Sequence, residues 1–94
     1  MFSISIDNLL KLNNSNIIDI RNEQSYNNNH IPGAKNIPYE KLLLNPSLYL
    51  NKNDIYYIYC KKGITSYKLC NKLNSMGYKV YNVIGGYEAW ILKK

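Results

Sequence analysis

The chain predicts an α/β sandwich, a mostly parallel central sheet flanked by helices on both faces. Three observations predict it. Segments rich in β-branched and aromatic residues alternate with segments of helical spacing along the whole chain. The most apolar of them, Asp-Ile-Tyr-Tyr-Ile-Tyr at 54–59, shows no polar alternation and so reads as a strand buried on both faces. The length, 94 residues, is that of one domain, and such a chain buries about 60–65% of its unfolded surface.

Taken in order, Ser-Ile-Ser-Ile at 3–6 is a short strand, and Asp7 can cap a short helix carrying Leu9, Leu10 and Leu12. Asn-Ile-Ile-Asp-Ile at 16–20 suits a buried strand. Residues 22–33 are polar, with room for one helical turn, and Pro32–Gly33 marks a turn. Residues 34–37 form a very short strand, and 38–44 a helix with Pro38 in its first turn, stopped by Asn45–Pro46. After the 54–59 strand, residues 65–76 place Leu69, Cys70, Leu73 and Met76 on one helical face, and Gly77 ends that helix. Lys79–Ile84 is a further strand, and Gly85–Gly86 turns into a last helix whose Tyr87, Trp90 and Ile91 share a face.

Composition narrows the function. Twelve Lys and Arg against six Asp and Glu give a net charge of +6. The lysines are scattered and Arg21 is the only arginine, whereas nucleic-acid readers lean on arginine. The charge therefore favours small anions over nucleic acid. The N-terminus has no signal-peptide pattern and no apolar run approaches the ~20 residues of a membrane span. With only Cys60 and Cys70, the expectation is a cytoplasmic protein holding two thiols.

The segment Tyr59-Cys60-Lys61-Lys62-Gly63-Ile64-Thr65-Ser66 carries the chemistry. Ligands of open α/β sheets collect beyond the carboxyl ends of strands, and Cys60 stands there on the most buried strand. The next helix leaves its first amides unpaired, and these with the helix dipole favour an anion. A thiolate is such an anion, and Lys61 and Lys62 add to the same field. Gly63 lets the backbone curl so that successive amides turn inward. Thr65 or Ser66 can cap the helix. A cysteine phosphatase would need an arginine six residues after the cysteine to grip phosphate. Ser66 stands there instead, which argues against phosphoryl transfer.

Three stretches in order resemble the rhodanese family across nearly the whole chain. They are Asp19-Ile20-Arg21 with His30-Ile31-Pro32-Gly33-Ala34 and Asn36-Ile37-Pro38; the Cys60–Thr65 loop, close to the Cys-Arg-Lys-Gly-Val-Thr loop of thiosulfate sulfurtransferases; and 77–90 with its double glycine and aromatic helix. The resemblance implies a rhodanese-like three-layer sandwich spanning 1–94 as a single domain. It also implies a sulfurtransferase in which Cys60 takes the outer sulfur of thiosulfate, or of another small anionic donor, as a persulfide. A thiol or protein acceptor then removes that sulfur. Lys61, Lys62, Gly63, Ile64, Thr65 and Ser66 would bind the donor, and no cofactor or metal is implied. Many single-domain members carry an arginine after the loop; here that place is Tyr67.

Other readings stand beside this one. A rhodanese-like module could dock a partner protein without catalysis, or sense oxidants through Cys60 and Cys70. Cys70, on the apolar face of its helix, reads as core. Asp19 and Arg21 read as a polar brace near the loop, His30 as structural, and Tyr87 and Trp90 as core. No Cys-x-x-Cys or histidine cluster suggests a metal site.

Overall fold

The computed structural model describes residues 2–93. Its elements are β1 (Phe2–Ile4), α1 (Ile6–Leu10), β2 (Asn16–Asp19), α2 (Glu23–Asn28), β3 (Lys35–Asn36), α3 (Tyr39–Leu44), α4 (Pro46–Tyr49), β4 (Ile55–Tyr59), α5 (Ile64–Ser75), β5 (Lys79–Val83) and α6 (Gly86–Lys93). The strands form one sheet in the order β1-β5-β4-β2-β3, and every pairing is parallel. The α/β sandwich is therefore present, with β4 at its centre.

Alternation along β4 sorts the core. Tyr56 and Ile58, with Cys60 beyond the strand, join Leu42, Leu69, Cys70 and Leu73 in a layer under α3 and α5. Tyr59 turns to the opposite layer with Ile6, Leu9, Ile31, Val83 and Trp90, under α1 and α6. Burial on both faces is what the unbroken apolar run requires. Each fully buried Leu or Ile contributes about 1.5–3 kcal/mol.

Several boundaries differ from the sequence reading, each for a local reason. Ser5, not Asp7, caps α1, because its side chain accepts from the Asn8 amide. That frees Ile6 to start the helix, where it is buried. Pro38 stands just before α3 as its cap residue, and Pro46 does not simply stop the chain but opens α4. A proline suits a first turn because its missing N–H would have no partner there. Gly77, at φ +97, follows the α5 cap residue Met76, and a left-handed residue here closes a helix. Met76 and Ile91, expected on apolar faces, are largely exposed. Met76 lies past the last turn of α5, and Ile91 follows the buried Trp90 on the outer side of α6. Among the described residues, no helix is long and apolar enough to cross a membrane.

Candidate active site

The central adjacency of β2 and β4 places the site. The chain leaves β2 for α2, whose Tyr26 packs into the α1/α6 layer, and leaves β4 for α5 in the other layer. Neighbouring parallel strands whose connections part to opposite faces leave a crevice at their carboxyl ends. A cavity of about 410 Å³ lies there, with Arg21 from the end of β2 facing Cys60, Lys61, Lys62, Ile64 and Thr65 from the end of β4. Five of the seven residues expected to carry the chemistry thus share one cavity. Gly63 and Ser66 stand behind it, against the sulfur.

Cys60 is buried, 8% exposed. Its Sγ accepts hydrogen bonds from the amides of Gly63 at 3.1 Å and Ser66 at 3.3 Å. Two amides aimed at one sulfur favour negative charge on it. The curl depends on Gly63, whose φ is +90 and which forms the N-cap of α5 with no side-chain cap. The expected hydroxyl cap is therefore absent. Ser66 lies inside the first turn instead, and its hydroxyl sits 3.3 Å from Sγ and 2.5 Å from Asn82 Oδ1. The amides of Ile64 and Thr65 find no acceptor among the described residues, and both residues line the cavity.

The double glycine, read from sequence as a turn, also braces the loop. The amides of Tyr87 and Glu88 donate to the carbonyls of Cys60 (2.9 Å) and Lys61 (3.0 Å). A Cβ on Gly86 would stand 2.3 Å from the Cys60 carbonyl oxygen. The closing helix therefore sets the position of the Cys60 loop.

Arg21 is the residue whose place sequence reasoning missed. Asp19, fully buried, accepts from Arg21 Nε and Nη2 and from its amide. Asp19 also accepts from Tyr59 Oη, while Arg21 Nη2 donates to the Asn29 carbonyl. The guanidinium lies 4.0 Å above the Tyr87 ring. Burial works against the charge on Arg21, and the Asp19 bonds and charge outweigh it, so the group is held protonated. It is at once the expected brace and a fixed positive wall of the cavity. Tyr87 is accordingly a half-buried platform, while Trp90 is buried core. His30 stacks on Tyr26 at 3.8 Å and bonds the Tyr26 carbonyl through Nδ1, away from the residues lining the cavity.

Cys70 is fully buried on α5, and burial, then the nearby Cys60, pushes its thiol up to about 12. Among the described residues there is no cluster of His, Cys, Asp or Glu that could hold a metal ion.

A five-stranded parallel sheet with a cysteine loop entering a helix at its carboxyl edge places the chain among α/β proteins built around a cysteine-bearing loop. The rhodanese-like domain profile matches residues 5–93, and the chain belongs to that family. It is 35% identical over 83 residues to the thiosulfate sulfurtransferase GlpE of Coxiella burnetii, covering 87% of this chain and 77% of that one. It is 36% identical to a crystal structure of a rhodanese-like domain protein from Staphylococcus aureus, with a TM-score of 0.83 over 96% of this chain and 91% of that one. A solution structure of a rhodanese-like domain from Anabaena gives a TM-score of 0.85 at 27% identity, over 99% of this chain and 75% of that chain.

Proposed function

We propose that residues 1–94 act as one sulfurtransferase unit in which Cys60 carries sulfane sulfur from thiosulfate, or another small anionic donor, to a thiol or protein acceptor. The observation that carries this reading is the pair of amides donating to Sγ at the floor of a cavity lined by Arg21, Lys61 and Lys62. The family membership and the activity named for the GlpE relatives support it.

In the first half-reaction the Cys60 thiolate attacks the outer sulfur of thiosulfate. A new S–S bond forms, and the bond from the outer sulfur to the sulfonate sulfur breaks. Its electron pair leaves with sulfite, and Cys60 retains a persulfide anion. In the second half-reaction an acceptor thiolate attacks the terminal sulfur and releases the Cys60 thiolate. Charge is the obstacle, since an anion must meet a dianion. Preorganised N–H groups and fixed cations lower that repulsion in a site partly shielded from water. The Gly63 and Ser66 amides serve the sulfur, and the amides of Ile64 and Thr65 serve the donor. Arg21, Lys61 and Lys62 supply the field that draws the donor in. These steps need no cofactor or metal.

Intact-mass measurement tests this directly. Incubation with thiosulfate is expected to add one sulfur atom, cyanide to remove it, and Cys60→Ser to take up none while remaining folded. Full uptake by Cys60→Ser would overturn the assignment. Hydrolysis of aryl phosphates would favour the phosphatase reading instead.

A further inference from the structure

We propose that Ser66 and Asn82 form a hydrogen-bond relay that reverses direction when Cys60 loses its proton, which makes Asn82 a positioning residue for the nucleophile. The inference rests on Cys60 being the reactive sulfur.

Three buried groups stand in line: Cys60 Sγ, Ser66 Oγ at 3.3 Å, and Asn82 Oδ1 at 2.5 Å from that hydroxyl. Ser66 is fully buried and Asn82 is 4% exposed, so water does not readily replace either partner. A serine hydroxyl has one proton, and an amide oxygen can only accept. With its proton on Asn82 Oδ1, Ser66 can meet Sγ only as an acceptor of the S–H. The line then reads from thiol to hydroxyl to carbonyl, and it favours the protonated sulfur.

A thiolate or persulfide anion reverses the demand. The sulfur now needs a donor, and the proton it released has gone to water at the cavity mouth. Ser66 must turn its hydroxyl toward Sγ, which leaves Asn82 Oδ1 facing a hydroxyl oxygen with no proton between them. Asn82 resolves this by turning its amide over. Its Nδ2 makes no hydrogen bond to another described residue and Asn82 lines an open cavity, so the turn breaks no bond within the protein beyond the one it replaces. Nδ2 then donates to Ser66 Oγ while Ser66 donates to sulfur, and each bond strengthens the next. Asparagine presents a donor and an acceptor at the same distance. At this place it serves both charge states of the sulfur. Asn82 sits on β5, beside β4 in register with Ile58, so the sheet holds the relay rigid.

Alkylation of Cys60 by iodoacetamide at neutral pH, read by peptide mass, tests the relay without any sulfur donor, so its outcome is independent of the sulfurtransferase reading. Asn82→Asp offers acceptors only and pins the Ser66 proton away from sulfur. Asn82→Leu removes the amide that backs Ser66 in the thiolate state. The expected order is wild type fastest, Asn82→Leu slower and Asn82→Asp slowest, with at least about a tenfold span from wild type to Asn82→Asp, since a hydrogen bond to a charged group is worth roughly 1.5–3 kcal/mol. A merely structural role would slow both variants by the same factor with or without Ser66. In a Ser66→Ala background the span is expected to shrink to about threefold or less, the expectation for coupled residues. A span that persists there marks direct repulsion by the introduced carboxylate or a structural role and overturns the relay, as does an Asn82→Leu rate above wild type. Should Asn82→Asp fail to fold, the rate of Asn82→Leu, with and without Ser66, decides alone. Arg21, Lys61, Lys62 and Cys70, the charged or titratable groups around Cys60, are the same in every variant.

Discussion

At the scale of single residues, the site works by placing ordinary groups at unusual density around one sulfur. Arg21 shows how one side chain can hold two positions at once. Its Nε and Nη2 are committed to Asp19 and the Asn29 carbonyl, while the same planar group lines the cavity. Arg21→Lys keeps a cation beside Asp19 but loses the fork. It is expected to raise KM for thiosulfate about tenfold while leaving transfer from an uncharged trisulfide within about threefold. An equal fall for both donors would reduce Arg21 to a brace. Lys61 is exposed and its reversal tests the field alone. Lys61→Glu should cut kcat/KM for thiosulfate by about tenfold at low salt, less at high salt, and leave the melting temperature within a few degrees. Equal turnover by that variant at low salt would remove the lysine from the mechanism.

At the scale of elements, what could be read from sequence was what depends on neighbours in the chain. Ile55–Tyr59 as a two-sided strand, Gly63 as a left-handed pivot and Gly77 closing α5 all follow from local pattern, and the structure has each of them. What escaped was set by other segments. Ser66 could not be seen to face inward, because its partner Asn82 is 16 residues away. Arg21 could not be placed at the cavity without knowing that β2 and β4 are neighbours. Pro46 read as a stop because a proline both ends one helix and opens the next. Gly86 is the clearest case, since a double glycine looks like a turn until its neighbour is known. Its φ of +56 and the 2.3 Å approach to the Cys60 carbonyl make any side chain untenable there. Gly86→Ala should cost at least about 2 kcal/mol, the scale of a strained backbone combined with overpacking. It should also lower sulfur uptake by the molecules that remain folded. A urea midpoint unchanged from wild type would show that the loop and α6 are not in the contact described.

At the scale of the whole molecule, the two buried protons of Cys70 and Tyr59 tie stability to alkali. Burial raises the Cys70 thiol from an ordinary value of 9.0 to about 12. Burial, then the bond to Asp19, raises the Tyr59 hydroxyl as well. A proton held more tightly in the folded state stabilises the fold fully below the unfolded value. That stability is lost as pH climbs from the unfolded value toward the folded one. The chain should therefore lose stability upward from about pH 9, at up to about 1.4 kcal/mol per pH unit for Cys70. Urea midpoints at pH 8 and pH 10.5 measure it, and Cys70→Val should flatten part of the slope. A slope unaffected by that substitution would show Cys70 to be accessible to base.

The sheet order has its own consequence for biosynthesis. Phe2–Ile4 pairs with Tyr81–Val83, and every other element of the sheet is made between them. β1 must therefore wait unpartnered while that intervening chain is synthesised, and it leaves the nascent sheet with a bare edge for that interval. Chaperone contact during it should concentrate on Phe2–Ile4 and vanish once Tyr81–Val83 emerges.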